Sequence, residues 1–442
     1  RDGSPAAPVR SAVAAGPASG HDRPMTDPAS KPWYHQLHYQ ILAAMIVGVA
    51  CGLIGGETAA EWLGWMGTIF VRLLRMVIVP LILTSIISGV SAVGGGRALG
   101  RLGARTFAWY ISTSFFAILV GLVLVNVIRP GAGADLGGAA SAELPAIETP
   151  SNLAEIFVRM IPTNPISAMA SGDMLATIFF ALLVGVAITQ LPQERSQRLR
   201  GWVEDLFEMM MVLTGGVIRL APFGVLGLMT KAVAASGLGA FGALGMYALT
   251  ILAGLFLHIF VTLPLLIRVV GGMNPITHYR NMGEALLMAF STSSSSATLP
   301  VTMRCVEKKV GASNRVTSFV LPMGATVNMD GTALYECVGV IFISQVLGFE
   351  LTFLAQATIV VTALLASIGA AGIPSAGLVM ILVVTESVGL TGPDVAIIVG
   401  AMLAIDRPLD MLRTVTNVLS DASGAALIAR REGESGVNQE AR

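Results

Sequence analysis

Residues 351–385, LTFLAQATIVVTALLASIGAAGIPSAGLVMILVVT, carry no charged side chain, yet the small-residue run Gly369–Gly377 (GAAGIPSAG) divides them into two halves. A helix that crosses a bilayer needs about 20 apolar residues, and each half is too short. Two half-helices meeting at a non-helical tip meet the same demand for burial. Such a tip is tolerated at membrane depth only when it is buried in protein or lines a cavity. The stretch therefore predicts a re-entrant hairpin. Residues 278–310 repeat the plan, with an apolar stretch, the polar tip Ser291–Pro300 and a basic segment after it. Two interrupted segments in corresponding places point to a transporter's binding site.

The rest of the chain agrees. Mean hydropathy is +0.75 and only 12% of the 442 residues are charged, against about 25% in a soluble domain. Charge-free stretches of spanning length fall at 39–56, 76–96, 106–128, 174–193 and 232–267, and 209–230 adds another interrupted only by Arg219. Residues 1–37, rich in Pro, Ala, Gly and Ser, read as a disordered cytoplasmic tail. Arg97, Arg101 and Arg105 put the loop after the second helix on the cytoplasmic side of a cell membrane. A formal net charge of zero gives no footprint for nucleic acid. Cys51, Cys305 and Cys337 show neither metal nor redox spacing and read as small buried hydrophobes. The five histidines are scattered. His258 stands alone in an apolar run, as a core histidine does, and no nucleophile–base pair suggests an enzyme.

Two constellations carry chemistry. At 100° per residue, Asp406, Asp410, Arg413, Asn417 and Asp421 fall at about 0°, 40°, −20°, 20° and 60°, an arc of about 80° on an otherwise apolar helix. Charges at membrane depth face a bundle interior and mark a substrate or ion path; a stack of structural salt bridges is the plainer alternative. Three acids and one arginine do not balance, so an ion or a ligand amine is the expected extra cation. Arg413 offers a fork matched to a carboxylate, Asp410 an acceptor for an ammonium, Asn417 a donor to an α-carboxylate, and Asp421 a ligand for a cation. The second constellation is Thr326, Asn328, Asp330 and Thr332. They recur every second residue between Gly324 and Gly331, and suggest an unwound break whose oxygens hold Na+. At the serine tip, N–H groups and hydroxyls at a half-helix N-terminus suit a carboxylate.

The segments SSSSATLP (293–300), NMDGT (328–332), the tip 369–377 and LDMLRTVTN (409–417) closely resemble the dicarboxylate/amino acid:cation symporter family. So do RLLRMVIVPLIL (72–83), PTNP (162–165) and APFGV (221–225), and the likeness runs from about residue 38 to 430. The resemblance implies an all-α membrane protein with eight transmembrane helices and two re-entrant hairpins, assembled as a homotrimer that works as an elevator with the second hairpin as gate. Scaffold helices would occupy 38–100 and 131–231. A transport domain would occupy 101–130 and 232–430, with hairpins at about 278–310 and 351–390, and a C-terminal tail 431–442. Carried over, substrate contacts fall on Ser295, Thr332, Ile373, Gly377, Asp410, Arg413, Thr414 and Asn417. Sodium sites fall on Asn328, Asn417 and Asp421; on Thr326, Ser367, Ile368 and Ala370; and on Tyr110, Thr113, Ser114, Asn328 and Asp330. Glu336 stands where animal members carry a proton-coupling acid, with K+ a further candidate coupling ion.

Retention of both Asp410 and Arg413 fits L-glutamate or L-aspartate better than a C4-dicarboxylate or a neutral amino acid. Hairpin tips packed around a charged helix suit occlusion better than an anion channel. One departure stands out. Relatives carry an arginine at the position of Ser293 or of Met411, and this chain has neither. Arg407, one turn before Met411, is expected to supply that charge, paired with Asp406 or Asp410.

Overall fold

The structure, a computed structural model, describes residues 37–91, 97–134, 158, 160–236, 239–368 and 376–438. The expected N-terminal tail and most of the second tip, with Ile373 and Ala370, lie outside the described residues. Those described are all-helical.

Helix α1 (Leu37–Ser91) is broken only at Gly56, whose φ of 52° and ψ of −137° suit a residue without a Cβ. Its second half begins well before the charge-free run at 76–96. Glu57, Glu61 and Arg72 lie on its exposed face, where a charge does not interrupt a helix. Glu57 and Glu61 also sit near its N-terminal end, where the helix dipole favours an acid. Helix α2 (Arg97–Ile128) follows, then the short α3 (Pro165–Ser171), capped by the Asn164 side chain. Next come α4 (Met174–Gln190) and α5 (Gln193–Ile218). The expected single helix over 209–230 is instead two. α5 stops at Ile218, α6 (Ala221–Ser236) starts after two intervening residues, and the pair is bent by 49°. Pro222 explains the restart, because proline is at home in a first turn and cannot donate to a preceding one. The run 232–267 divides as well, between α6 and α7 (Gly239–Leu257). A π-helical turn (His258–Thr262) carries α7 into α8 (Leu263–Val269).

The interrupted segments form helix pairs. α9 (Pro275–Thr292) and α10 (Ser295–Cys305) meet at Ser293–Ser294. Ser293 turns the chain at φ 51°, and the Ser294 hydroxyl accepts from the Ala297 N–H. α11 (Asn314–Val327) and α12 (Asp330–Val346) are separated by two non-helical residues, Asn328, which is extended, and Met329. α13 (Phe353–Ile368) packs beside α14 (Ala376–Ser387) across the second tip. The last helix, α15 (Pro393–Arg431), runs 39 residues through Pro408.

Tyr39–Ser91, Arg101–Ile128 and Gly242–Val269 are long and apolar enough to cross a membrane. The bent α5–α6 pair makes a fourth if taken as one span. α1 packs along α6 most extensively. Gly227 lets the two backbones touch, since a Cβ there would lie 2.5 Å from the Leu63 carbonyl. α12 is buried almost end to end between α2 and α15, so the polar groups of both core helices face protein. Beyond α15, residues 432–438 fold back on the bundle. Glu434 accepts from the Ser313 N–H at 2.8 Å, and the Asn438 side chain donates to the Asn274 carbonyl at 3.0 Å.

Candidate functional site

The break between α11 and α12 is held open by side chains. Gly331 N–H donates to Asn417 Oδ1 of α15 at 2.8 Å instead of closing a helical turn. Asn328 Nδ2 donates to Asp421 Oδ1 at 2.8 Å and to Ser420 Oγ at 3.0 Å. Asp330, fully buried, accepts from the hydroxyls of Thr113 (3.0 Å) and Ser114 (2.7 Å) on α2, and its other oxygen lies 3.1 Å from His258 Nε2. The Tyr110 hydroxyl donates to the Val320 carbonyl at 2.7 Å. Gly324 has no room for a side chain, because a Cβ there would stand 2.5 Å from Asp421 Oδ1 and 2.7 Å from Tyr110 Oη. Tyr110, Thr113, Ser114, Asn328, Asp330 and Asp421 thus form one buried cluster dominated by oxygen and holding two carboxylates. Such a donor set suits a small hard cation.

Of the other expected sodium residues, Ala370 lies outside the described ones. Thr326 donates to the Met323 carbonyl at 3.1 Å and lines a cavity of about 270 Å³ toward Ser85 and Ser88 of α1. Ser367 and Ile368, at the end of α13, line a separate crevice with Tyr110 and Ser114.

The polar stripe of α15 lies inside the bundle. Asp406, Asp410, Arg413, Asn417 and Asp421 are each no more than 3% exposed. The Arg413 guanidinium donates to Asp410 and lies 3.5 Å from Asp406, with the Tyr335 ring 4.2 Å beneath it. Asp406 therefore faces Arg413 rather than Arg407. Arg407, 28% exposed at its side chain, lies 3.7 Å from Asp410. The order is Asp406–Arg413–Asp410–Arg407, an alternating and neutral row. Arg407, off the stripe yet close enough to pair with it, balances Asp410 and reduces the imbalance read from the helical wheel to the single carboxylate of Asp421.

Gly377 of α14 presses on this row. A Cβ there would fall 2.6 Å from Arg413 Nη1, so the segment after the second tip closes directly over the guanidinium. Asn417 Nδ2 reaches Thr332 Oγ1 at 3.4 Å, and the Thr414 hydroxyl bonds back to the Asp410 carbonyl at 2.8 Å. Ser295, 4% exposed, begins α10. Glu336, on the next residue after Tyr335, is fully buried, and neither of its oxygens has a hydrogen-bond partner among the described residues.

Sequence reasoning missed His258, Tyr335 and Ser420. His258 is a buried core histidine, as expected, and the partner that satisfies its Nε2 is Asp330. Its one local signal is the irregular π-turn that it opens, a feature common at functional positions.

The chain matches the model of the sodium:dicarboxylate symporter family over residues 37–431. It is 35% identical over 439 residues to excitatory amino acid transporter 4 of Mus musculus, covering 83% of this chain and 77% of that one. It is 32% identical over 402 residues to the proton/sodium-glutamate symport protein of Bacillus subtilis, with 89% and 92% covered. It is likewise 32% identical over 413 residues to the proton/glutamate-aspartate symporter of Escherichia coli, with 90% and 93% covered.

Proposed function

Because the chain belongs to the sodium:dicarboxylate symporter family, a family of transporters and not of enzymes, we propose that it carries L-glutamate or L-aspartate across a cell membrane together with Na+. The observation that carries this reading is the buried row of Arg413 between Asp406 and Asp410. A side-chain carboxylate of the substrate competes with these acids for the Arg413 fork, its ammonium goes to Asp410, and Asn417 serves the α-carboxylate. Ser295, Thr332, Ile373, Gly377 and Thr414 complete the pocket in this reading. Asp421 and Asp330, with Asn328, Tyr110, Thr113 and Ser114, take Na+. Thr326, Ser367, Ile368 and Ala370 take a further ion under the second tip. Each Na+ that enters supplies about 2.3 kcal/mol per 100 mV of membrane potential, so several can concentrate a monoanionic substrate. Eight spanning helices, two re-entrant hairpins, a homotrimeric scaffold, a cytoplasmic N-terminus and an elevator gated by the second hairpin complete the proposal. The deciding experiment is uptake of labelled aspartate and glutamate into proteoliposomes under imposed Na+, H+ and K+ gradients. No response to the Na+ gradient would end this reading.

Two residues refine it. Glu336 is proposed as a proton carrier, since its buried carboxyl has no hydrogen-bond partner among the described residues, and such a group in an apolar interior gains from binding a proton. A co-transported proton makes uptake fall as external pH rises. Glu336→Gln should flatten that pH profile while uptake persists, and matching profiles in the two proteins would exclude the role. Arg407 is proposed to hold the Asp410 carboxylate in place until a substrate ammonium replaces it. Arg407→Ala should then shift the half-saturating aspartate concentration by about fivefold, the scale of a partly exposed ion pair. Unchanged affinity and rate would dismiss the idea.

A further inference from the structure

Away from the substrate row, positive charge accumulates where α2 and α11 begin and α15 stops. Glu432 follows α15 with its side chain 8% exposed, and three guanidiniums converge on its carboxylate: Arg105 at 2.5 Å, Arg101 at 3.6 Å and Arg315 at 3.8 Å. Arg105 also donates to the Arg431 carbonyl at 3.1 Å. One carboxylate cannot neutralise three arginines. The neighbouring Glu434 is occupied elsewhere, at the N–H and hydroxyl of Ser313. Arg101 and Arg105 lie in the opening turns of α2, and Arg315 is the second residue of α11. Arg315 stands at the positive end of the backbone dipole of α11, so a cation there calls for a further anion.

The same place continues an exposed, largely apolar face of α2. Arg101, Ala104, Ala108, Ile111 and Phe115 recur three or four residues apart on α2 and are all exposed, the pattern of a single helix face. α2 is long and apolar enough to cross a membrane, so the apolar part of that face meets acyl chains. Arg101 is the first residue of the apolar span Arg101–Ile128, about 20 Å from the middle of that span at helical rise. Half of a hydrocarbon core is about 15 Å, so Arg101 falls at headgroup depth when the span is centred in the bilayer. Its side chain is 62% exposed, and that of Arg315 is 67% exposed.

We propose that Arg101, Arg105 and Arg315 form a binding site for the phosphate of an anionic phospholipid headgroup, with Glu432 as its internal competitor. Guanidinium forks take phosphate oxygens two at a time, and basic clusters beside a spanning helix attract acidic lipids. Bound there, the headgroup bridges α2 to α11 and takes over arginine contacts that Glu432 makes from the end of α15. The site depends on the membrane reading of α2 and not on which substrate is carried.

The test uses purified full-length protein in a neutral detergent, with thermal stability followed by tryptophan fluorescence. Dioctanoyl phosphatidylglycerol should raise the unfolding temperature, and dioctanoyl phosphatidylcholine and inorganic phosphate should not. Arg101→Gln combined with Arg315→Gln should raise the half-saturating phosphatidylglycerol concentration by at least about tenfold, the scale set by two arginines at a membrane surface. Both side chains are largely exposed, so unfolding without added lipid should stay close to that of the unaltered protein. If the pair proves unstable, Arg101→Gln alone serves. In the unaltered protein, NaCl at about 0.5 M should suppress the shift by screening. Equal stabilisation by phosphatidylcholine, a full response to phosphate alone, an undiminished response in the variants, or a salt-insensitive shift would each overturn the proposal.

Discussion

Arg413→Ala is expected to abolish concentrative uptake of aspartate and glutamate. Arg413 is the largest fully buried side chain among the described residues and stands between Asp406 and Asp410 above the Tyr335 ring. Truncating one partner of a buried, hydrogen-bonded charge pair costs about 2–5 kcal/mol. Acidic substrates should therefore bind about 30-fold to several thousand-fold more weakly. Folding suffers too, because two nearly buried carboxylates lose their main cation, a loss on the scale of about 3–5 kcal/mol. Arg413→Cys separates the two effects by asking whether a neutral amino acid now competes for transport. Uptake of aspartate and glutamate by either variant at near-normal affinity would show that Arg413 does not read the substrate.

Asp421→Asn is expected to act through Na+. The substitution keeps shape, and an amide oxygen can still accept from Asn328 Nδ2, now at 2.8 Å from Asp421, so the α11–α12 break should survive. Only the negative charge beside Tyr110 and Asn328 is removed. Half-saturating Na+ should rise at least about tenfold, equivalent to about 1.4 kcal/mol. Coupling between bound ligands is reciprocal. Aspartate affinity should therefore weaken by a similar factor at limiting Na+ and recover at saturating Na+. An unaltered Na+ dependence would remove Asp421 from the cation site.

Much of this architecture was legible in one dimension. The serine tip, the two-residue break at Asn328–Met329 and the polar stripe on α15 each arise from nearest-neighbour chemistry: caps, glycines and the 3.6-residue period. Boundaries were harder. Charge-free windows placed the second half of α1 too late, because Arg72 and Glu61 point outward. They also ran 209–230 together across the bend at Arg219 and Leu220, because hydropathy does not register where a backbone turns.

The sequence alone determined the kinds of group that the site contains and the helix face that carries Asp406 to Asp421, because helical periodicity is a property of adjacent residues. Only the tertiary structure decided who meets whom. His258 joins Asp330 across 72 residues, and Ser114 joins it across 216. Asp406 turns to Arg413, leaving Arg407 to Asp410. Gly377 closes on a guanidinium from another helix, and three arginines from two helices gather on Glu432. Most of these pairings depend on how helices cross and how deeply they are buried. In an interior without water a charge must find a partner at whatever sequence distance packing supplies one.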